Sequence, residues 1–302
     1  MANILVTGAT GMVGQHLIPL LKSNGYNILT LTTNGNIANP SKSIYHWDPA
    51  KGVIDTQALH QIDIVIHLAG ANVGSKRWTK SYKKEILESR VKGAELLFQS
   101  FKKTNNFPKA IISAGGIGYY EDPSSEILTE NSNNGKHFLA EVCAAWEKSV
   151  LQFSEYDTQT TILRTGPILD SNKGLLPAFS ATHFLRIIPT VGNANHIFSW
   201  IHIEDLCQMF IHVIAQKLEG IYNAVSPKPC EQIILAKAIA HAYHKFCFFP
   251  TVPAFLIRMV LGEKADIALT DQNVSAQKIM NTGFQFKYVD VESAVQSLVH
   301  GG

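Results

Sequence analysis

Cysteine is scarce in this chain: four in 302 residues, at Cys143, Cys207, Cys230 and Cys247. None forms a C-x-x-C pair and the spacings match no zinc pattern. That argues against a disulfide framework and for a reducing compartment. Long apolar runs are missing too. The most apolar stretch, 246–261, is interrupted by Pro250 and Pro253 and carries Arg258, so it is too short and broken to span a bilayer. The first residues lack the basic segment and apolar core of a secretory leader. A cytoplasmic protein with no membrane partner is expected. Charge of one sign is also absent: 26 Lys and Arg stand against 24 Asp and Glu. The one local basic cluster, Lys76, Arg77, Lys83 and Lys84 around Trp78 and Tyr82, reads as a solvated helix face. Nucleic acid is therefore not an expected partner. Neither a Gly-x-Ser-x-Gly elbow nor a His-Glu-x-x-His pair occurs, which leaves hydrolase chemistry unsupported. His202, Glu204 and Asp205 lie close together, but acids favour a helix start and the spacing is not that of a ligand set. No metal is expected. His241 and His244, three apart, read as a solvated helix face.

What is present is a regular alternation. Asn3 to Thr7 is a short apolar run met at once by glycines, as in a strand buried on both faces of a parallel sheet. Val13, Leu17, Leu20 and Leu21 share one side of a helix that Gly25 stops. Further strands are predicted at 27–32, near 44–47, and at 62–68, 109–113, 160–164, 200–203 and 220–224. Helices are predicted at 78–103, 138–153, 204–215 and 231–245, and a polar loop at 122–135. This rhythm indicates an α/β fold with a doubly wound parallel sheet, the Rossmann arrangement. After residue 167 it loosens, and a smaller C-terminal lobe is expected.

The loop between the first strand and helix reads Gly8-Ala9-Thr10-Gly11-Met12-Val13-Gly14. Small residues let a backbone turn sharply and approach a pyrophosphate, and the helix N-terminus offers free N–H groups and partial positive charge. Thr7 and Thr10 are candidate hydroxyl donors. A dinucleotide is therefore expected here. The end of the second strand selects its 2′ group. Leu31-Thr32-Thr33-Asn34 has no carboxylate to repel a 2′-phosphate and no arginine to bind one. Thr32, Thr33 and Asn34 can hydrogen-bond a phosphate, so NADP is favoured, with NAD as the alternative. The predicted division is a dinucleotide-binding domain at 1–167, with 198–225 returning to its sheet. A substrate lobe is expected mostly within 168–302.

These residues resemble the extended short-chain dehydrogenase/reductase superfamily, and more closely its atypical NAD-dependent epimerase/dehydratase-like branch of "epimerase family" proteins. The matching motifs run nearly end to end. They include Thr7 to Gly14, Leu68-Ala69-Gly70, Lys76-Arg77-Trp78-Thr79, Ser89-Arg90 and Gly118-Tyr119-Tyr120. Phe138 to Cys143 with Trp146-Glu147, Leu163 to Gly166, Trp200 to Leu206, Leu261-Gly262-Glu263 and Gly283 to Phe286 follow in order. The resemblance implies that Leu68 and Ala69 flank the adenosine half and that Thr32 and Thr33 face the 2′ group. It implies Glu85 and Arg90 near the cofactor and Pro167 near the nicotinamide. Close homologues commonly carry arginine where this chain has Thr33. The resemblance also implies pairing into a homodimer, although no apolar interface stripe in this sequence specifies one.

The superfamily's reactive set is a Ser or Thr with a Tyr-x-x-x-Lys pair, in which the lysine depresses the tyrosine pKa for proton transfer. Registered on Glu147, the pair falls on Leu139 and Cys143; registered on Tyr119-Tyr120, the hydroxyl position falls on Gly115. None of the three can do that work. Tyr120 and Tyr119 lie just past a strand's C-terminal end, where such sheets bind ligands, and are the candidate proton donors. Cys143 reads first as a small buried hydrophobe, and Lys136 and His137 as a helix start. Candidate walls for a small-molecule substrate are Trp78, Tyr119, Tyr120, Phe179, Phe198 and Trp200. The expected function is an NADP-preferring oxidoreductase or epimerase-like enzyme with a non-standard catalytic set. The alternative is a cofactor-binding regulatory or scaffold protein without turnover.

Overall fold

Alternation along strand β1 (Asn3–Thr7) sets the layers of the molecule. Ile4 and Val6 face one side, in a core with Leu17 and Leu21 of helix α1 (Met12–Ser23) and with Leu206 and Phe210 of the helix Ile203–Gln216. Leu5 faces the other, against Ala94, Leu97 and Phe101 of α2 (Lys80–Thr104) and Trp146 and Val150 of α3 (Phe138–Leu151). A strand with helices on both faces must be apolar on both, which is why β1 reads as a continuous run. Each fully buried Leu or Ile contributes about 1.5–3 kcal/mol. The computed structural model describes residues 1–121 and 126–301. Part of the predicted 122–135 loop, 122–125, lies outside the described residues; within the rest, Ile127–Leu128 pairs in parallel with Asn273–Val274.

The other strands of the large sheet are β2 (Asn27–Thr32), β3 (Ile44–Asp48), β4 (Val53–Ile54), β5 (Ile64–His67), β6 (Ala110–Gly116), β7 (Gln159–Thr165) and β8 (Gly220–Ala224). Their order across the sheet is β8-β7-β6-β5-β1-β2-β3-β4. Every pairing is parallel except β3–β4 at the edge. The chain leaves β1 toward β2 on one side and returns to β5 on the other. The C-terminal ends of β1 and β5 thus form the switch point where such sheets open a crevice.

Local signals set the helix ends. The Thr79 hydroxyl accepts the Tyr82 N–H at 3.2 Å to start α2, and Asn105 ends it in the left-handed region at φ 48°. The expected strand at 200–203 forms as Ile201–His202, and it pairs with Ile168–Leu169 rather than joining the large sheet. The Pro167 carbonyl takes the Ile201 N–H at 3.0 Å and fixes this separate ladder. The smaller C-terminal lobe has its own core, including Leu176, Phe198, Trp200, Leu235, Ile239 and Val295. Phe198 and Trp200 are therefore not substrate walls: both are packed inside the lobe.

Candidate dinucleotide site

The switch-point crevice is a cleft of about 700 Å³. Its floor is the glycine loop. Gly8 sits at φ +72°, and a Cβ there would lie 2.8 Å from the Leu68 carbonyl carbon. A Cβ at Gly14 would lie 2.5 Å from the Gly8 oxygen. The loop therefore closes tightly only because both side chains are absent. Gly11 caps α1 with no side-chain hydrogen bond, and its own N–H goes to the Gly8 oxygen at 2.9 Å. The first-turn N–H groups of Met12 and Val13 have no intrahelical acceptor and belong to a helix N-terminus beside the cleft. These features fit a pyrophosphate by backbone alone.

Gly8, Thr10, Gly11, Thr32, Thr33, Leu68, Ala69 and Glu85 all line the cleft. Other expected residues lie elsewhere. Gly14 is buried beneath the loop, where it permits the turn. Arg90 does not line the cleft: its Nη1 donates to the Ala71 and Ile86 carbonyls, both at 3.0 Å, and the guanidinium packs under Gly70. It shapes the loop after β5 from below. Pro167 is outside the lining as well, tied to the lobe through Ile201. Thr7 is no phosphate donor. Its buried hydroxyl accepts the Leu68 and Ala69 N–H groups, both at 3.1 Å, and bonds His67 Nδ1 at 2.8 Å. Burial between Trp47 and Trp146 pushes His67 down to about 4, so the ring is neutral.

The far wall carries no local sequence signal. Lys42, Ser43, Trp47 and Asp48 line the cleft, brought there by β3 and the turn before it. Only strand pairing reveals this, since Lys42 stands ten residues past the end of β2. A clasp on α1 carries no such signal either. The His16 Nε2 lies 2.8 Å from the buried Asp170 Oδ2, and Lys173 donates to Gln15 at 2.9 Å. These contacts fasten the first turns of α1 to the segment leading into the lobe.

The region past β6 is built differently. Tyr120 is fully buried; its hydroxyl donates to Asn223 Oδ1 at 2.6 Å and accepts from Arg164 Nη1 at 3.0 Å. Burial raises its pKa to about 12. Arg164 forms a two-pronged pair with Glu147, both bonds 2.8 Å, and its guanidinium lies 3.5 Å from the Tyr119 ring centre. Tyr120 is thus a strut between β6, β7 and β8, and not a proton donor. Tyr119 is only half-buried. Cys143 is buried, and desolvation pushes its thiol up to about 12, far from a reactive thiolate. A Cβ on Gly115 would touch Ile162 at 3.0 Å, and one on Gly118 would touch Leu139 at 3.3 Å. Packing occupies the places where the reactive set would stand. Trp78 packs against Phe138 with ring centres 5.1 Å apart and donates to the Val73 carbonyl; Phe179 packs against the lobe core.

Among the described residues no group of His, Cys, Asp and Glu could hold a metal ion, and no helix is long and apolar enough to cross a membrane. Sheet order and glycine cradle together define a dinucleotide-binding protein of the doubly wound class. Comparison with known proteins narrows this. The profile of the NAD dependent epimerase/dehydratase family matches residues 4–224, and a domain of unknown function matches 252–298. An epimerase family protein of Staphylococcus aureus is 33% identical over 99% of both chains. This chain belongs to the NAD dependent epimerase/dehydratase family. Among solved structures, a human epimerase family protein, SDR39U1, with NADPH aligns at TM-score 0.86 and 24% identity, covering 98% of this chain and 99% of that one. A nucleoside-diphosphate sugar epimerase from Corynebacterium glutamicum aligns at TM-score 0.79 and 27% identity, covering 99% of this chain and 58% of that one.

Proposed function

We propose that this chain binds NADP(H) in the β1–β5 crevice and acts as an oxidoreductase or epimerase-like enzyme on a small-molecule substrate. The observation that carries the reading is the uncapped α1 N-terminus over a loop with no room for side chains at Gly8 and Gly14. When bound, the nicotinamide supplies hydride transfer. The chain's own residues do the rest. The 8–14 backbone holds the pyrophosphate, and Leu68 and Ala69 flank the adenosine. Thr32 and Thr33 bond the 2′-phosphate, and Lys42 supplies the positive charge that the strand end lacks. The NADPH bound by the human relative agrees with this preference. Tyr119 is the remaining candidate proton donor, since its ring is half-buried at the end of β6.

A second reading rests on the replaced reactive set. With Gly115, Leu139 and Cys143 in its places and Tyr120 locked, the chain is a cofactor-binding regulator that does not turn over. NADPH oxidation against a panel of carbonyls and nucleotide sugars separates the two. Turnover that falls about 100-fold in Tyr119→Phe and survives in Cys143→Ala supports the enzyme, on the scale of lost acid–base catalysis. Tight NADPH binding with no turnover across the panel favours the regulator.

A further inference from the structure

The apolar stretch 246–261 takes no part in the cofactor cleft, and it lies on the surface of the C-terminal lobe. Phe246 and Phe248 are 76% and 66% exposed, with ring centres 5.6 Å apart. Beside them runs the segment 184–188. The Phe248 N–H donates to the Arg186 carbonyl at 2.8 Å and the Ile188 N–H to the Phe248 carbonyl at 3.0 Å, which makes Ile187 and Phe248 bridge partners. Ile187, Leu185 and Phe184 are exposed on this second segment. Pro253 then caps the helix Ala254–Leu261, which has no buried residue. Its Phe255, Leu256, Met259 and Val260 are exposed and fall at i, i+1, i+4 and i+5, one stripe of the helix. Monomers in water rarely leave an apolar cluster such as Phe246, Phe248, Phe184, Leu185 and Ile187 without a partner.

Charge indicates what the partner is. The segments 183–191 and 241–261 contain Arg186, Lys245 and Arg258 but no Asp or Glu. Arg258 reaches Asp266 at 2.9 Å. Arg186 and Lys245 are exposed, and among the described residues neither has a carboxylate partner. A second copy on this face would bring the same cations of both protomers into one apolar interface, since a two-fold contact is self-facing. Repulsion and desolvation both oppose that arrangement. An anionic lipid surface accepts both features at once: rings enter the acyl boundary while arginine and lysine meet phosphates. We propose that this face of the C-terminal lobe docks on an anionic bilayer, lying on it and not crossing it.

Flotation of the full-length chain with phosphatidylcholine vesicles, with and without phosphatidylglycerol, tests this. The chain should float with the anionic vesicles and stay below with the neutral ones. Phe246→Ser with Phe248→Ser, and separately Arg186→Glu with Lys245→Glu, should each cut the bound fraction about tenfold with unchanged circular dichroism. These side chains are exposed, so the variants keep the core intact. Failure to float with either vesicle overturns the proposal, and equal binding to both overturns its electrostatic half. A dimer by sedimentation velocity that Phe248→Ser dissociates would assign the face to a second copy and also overturn it.

Discussion

The two sides of the crevice are made by opposite means. At Gly8 and Gly14 the site is backbone, and it exists because side chains are absent. Past β6 the site would have to be side chain, and there Gly115, Leu139, Cys143 and Tyr120 are fitted into packing and a buried hydrogen-bond network. A backbone cradle is protected by sterics, since a Cβ at Gly8 or Gly14 meets main chain that cannot yield. A reactive side chain has no such protection, because a packing residue in its place leaves the fold intact. Holding a dinucleotide and using one are therefore separable properties in this molecule.

The largest expected effect lies on the packed side. Arg164→Ala strands the buried Glu147 carboxylate and frees Tyr120, and should cost about 3–5 kcal/mol in chemical denaturation. Loss near zero would mean that this side is not built as a strut. Next, residue for residue, is a pH effect. Burial holds His67 beneath the cradle and His202 at the start of the helix Ile203–Gln216 near 4, against about 6.5 unfolded. The unfolded chain then binds more protons between these values, so stability is full above pH 6.5 and lost as pH falls toward 4. The loss is roughly 3 kcal/mol per histidine. Thermal melts across that window should fall steadily; a flat profile would contradict the burial of both rings.

The cradle itself is expected to break in one step. Gly8→Val should weaken NADPH binding at least about 100-fold, about 2.7 kcal/mol, by calorimetric titration. Unchanged affinity would separate the loop from the cofactor. The smallest effect is at the rim: Lys42→Ala should weaken NADPH about 3- to 10-fold and leave NADH unchanged.

Much of the cradle was legible in the chain order. The apolar run 3–7, glycines at 8, 11 and 14 and a helix pattern after them are local signals, and the structure places Gly8 and Gly11 in the cleft. Helix and strand positions followed for the same reason, as at Gly220–Ala224. What failed to show was long-range. Tyr120 looked free because its partners, Arg164 and Asn223, stand 44 and 103 residues away. The resemblance alone puts Arg90 near the cofactor, and its acceptors, the Ala71 and Ile86 carbonyls, carry no sequence signal. Trp200 looked like a wall because an aromatic gives no sign of which core it will join. Lys42 was hidden in a turn-rich segment whose place depends on the β2–β3 ladder.

The most direct test is a titration of the purified chain with NADPH and, in parallel, NADH, followed by nicotinamide fluorescence. Saturable one-to-one binding, with NADPH tighter by about tenfold or about 1.4 kcal/mol, is the expected result. It should persist in Cys143→Ala, because that thiol lies outside the cleft lining. No saturable binding of either nucleotide would contradict the cradle, and NADH binding as tightly as NADPH would contradict the assignment of Thr32, Thr33 and Lys42 to a 2′-phosphate.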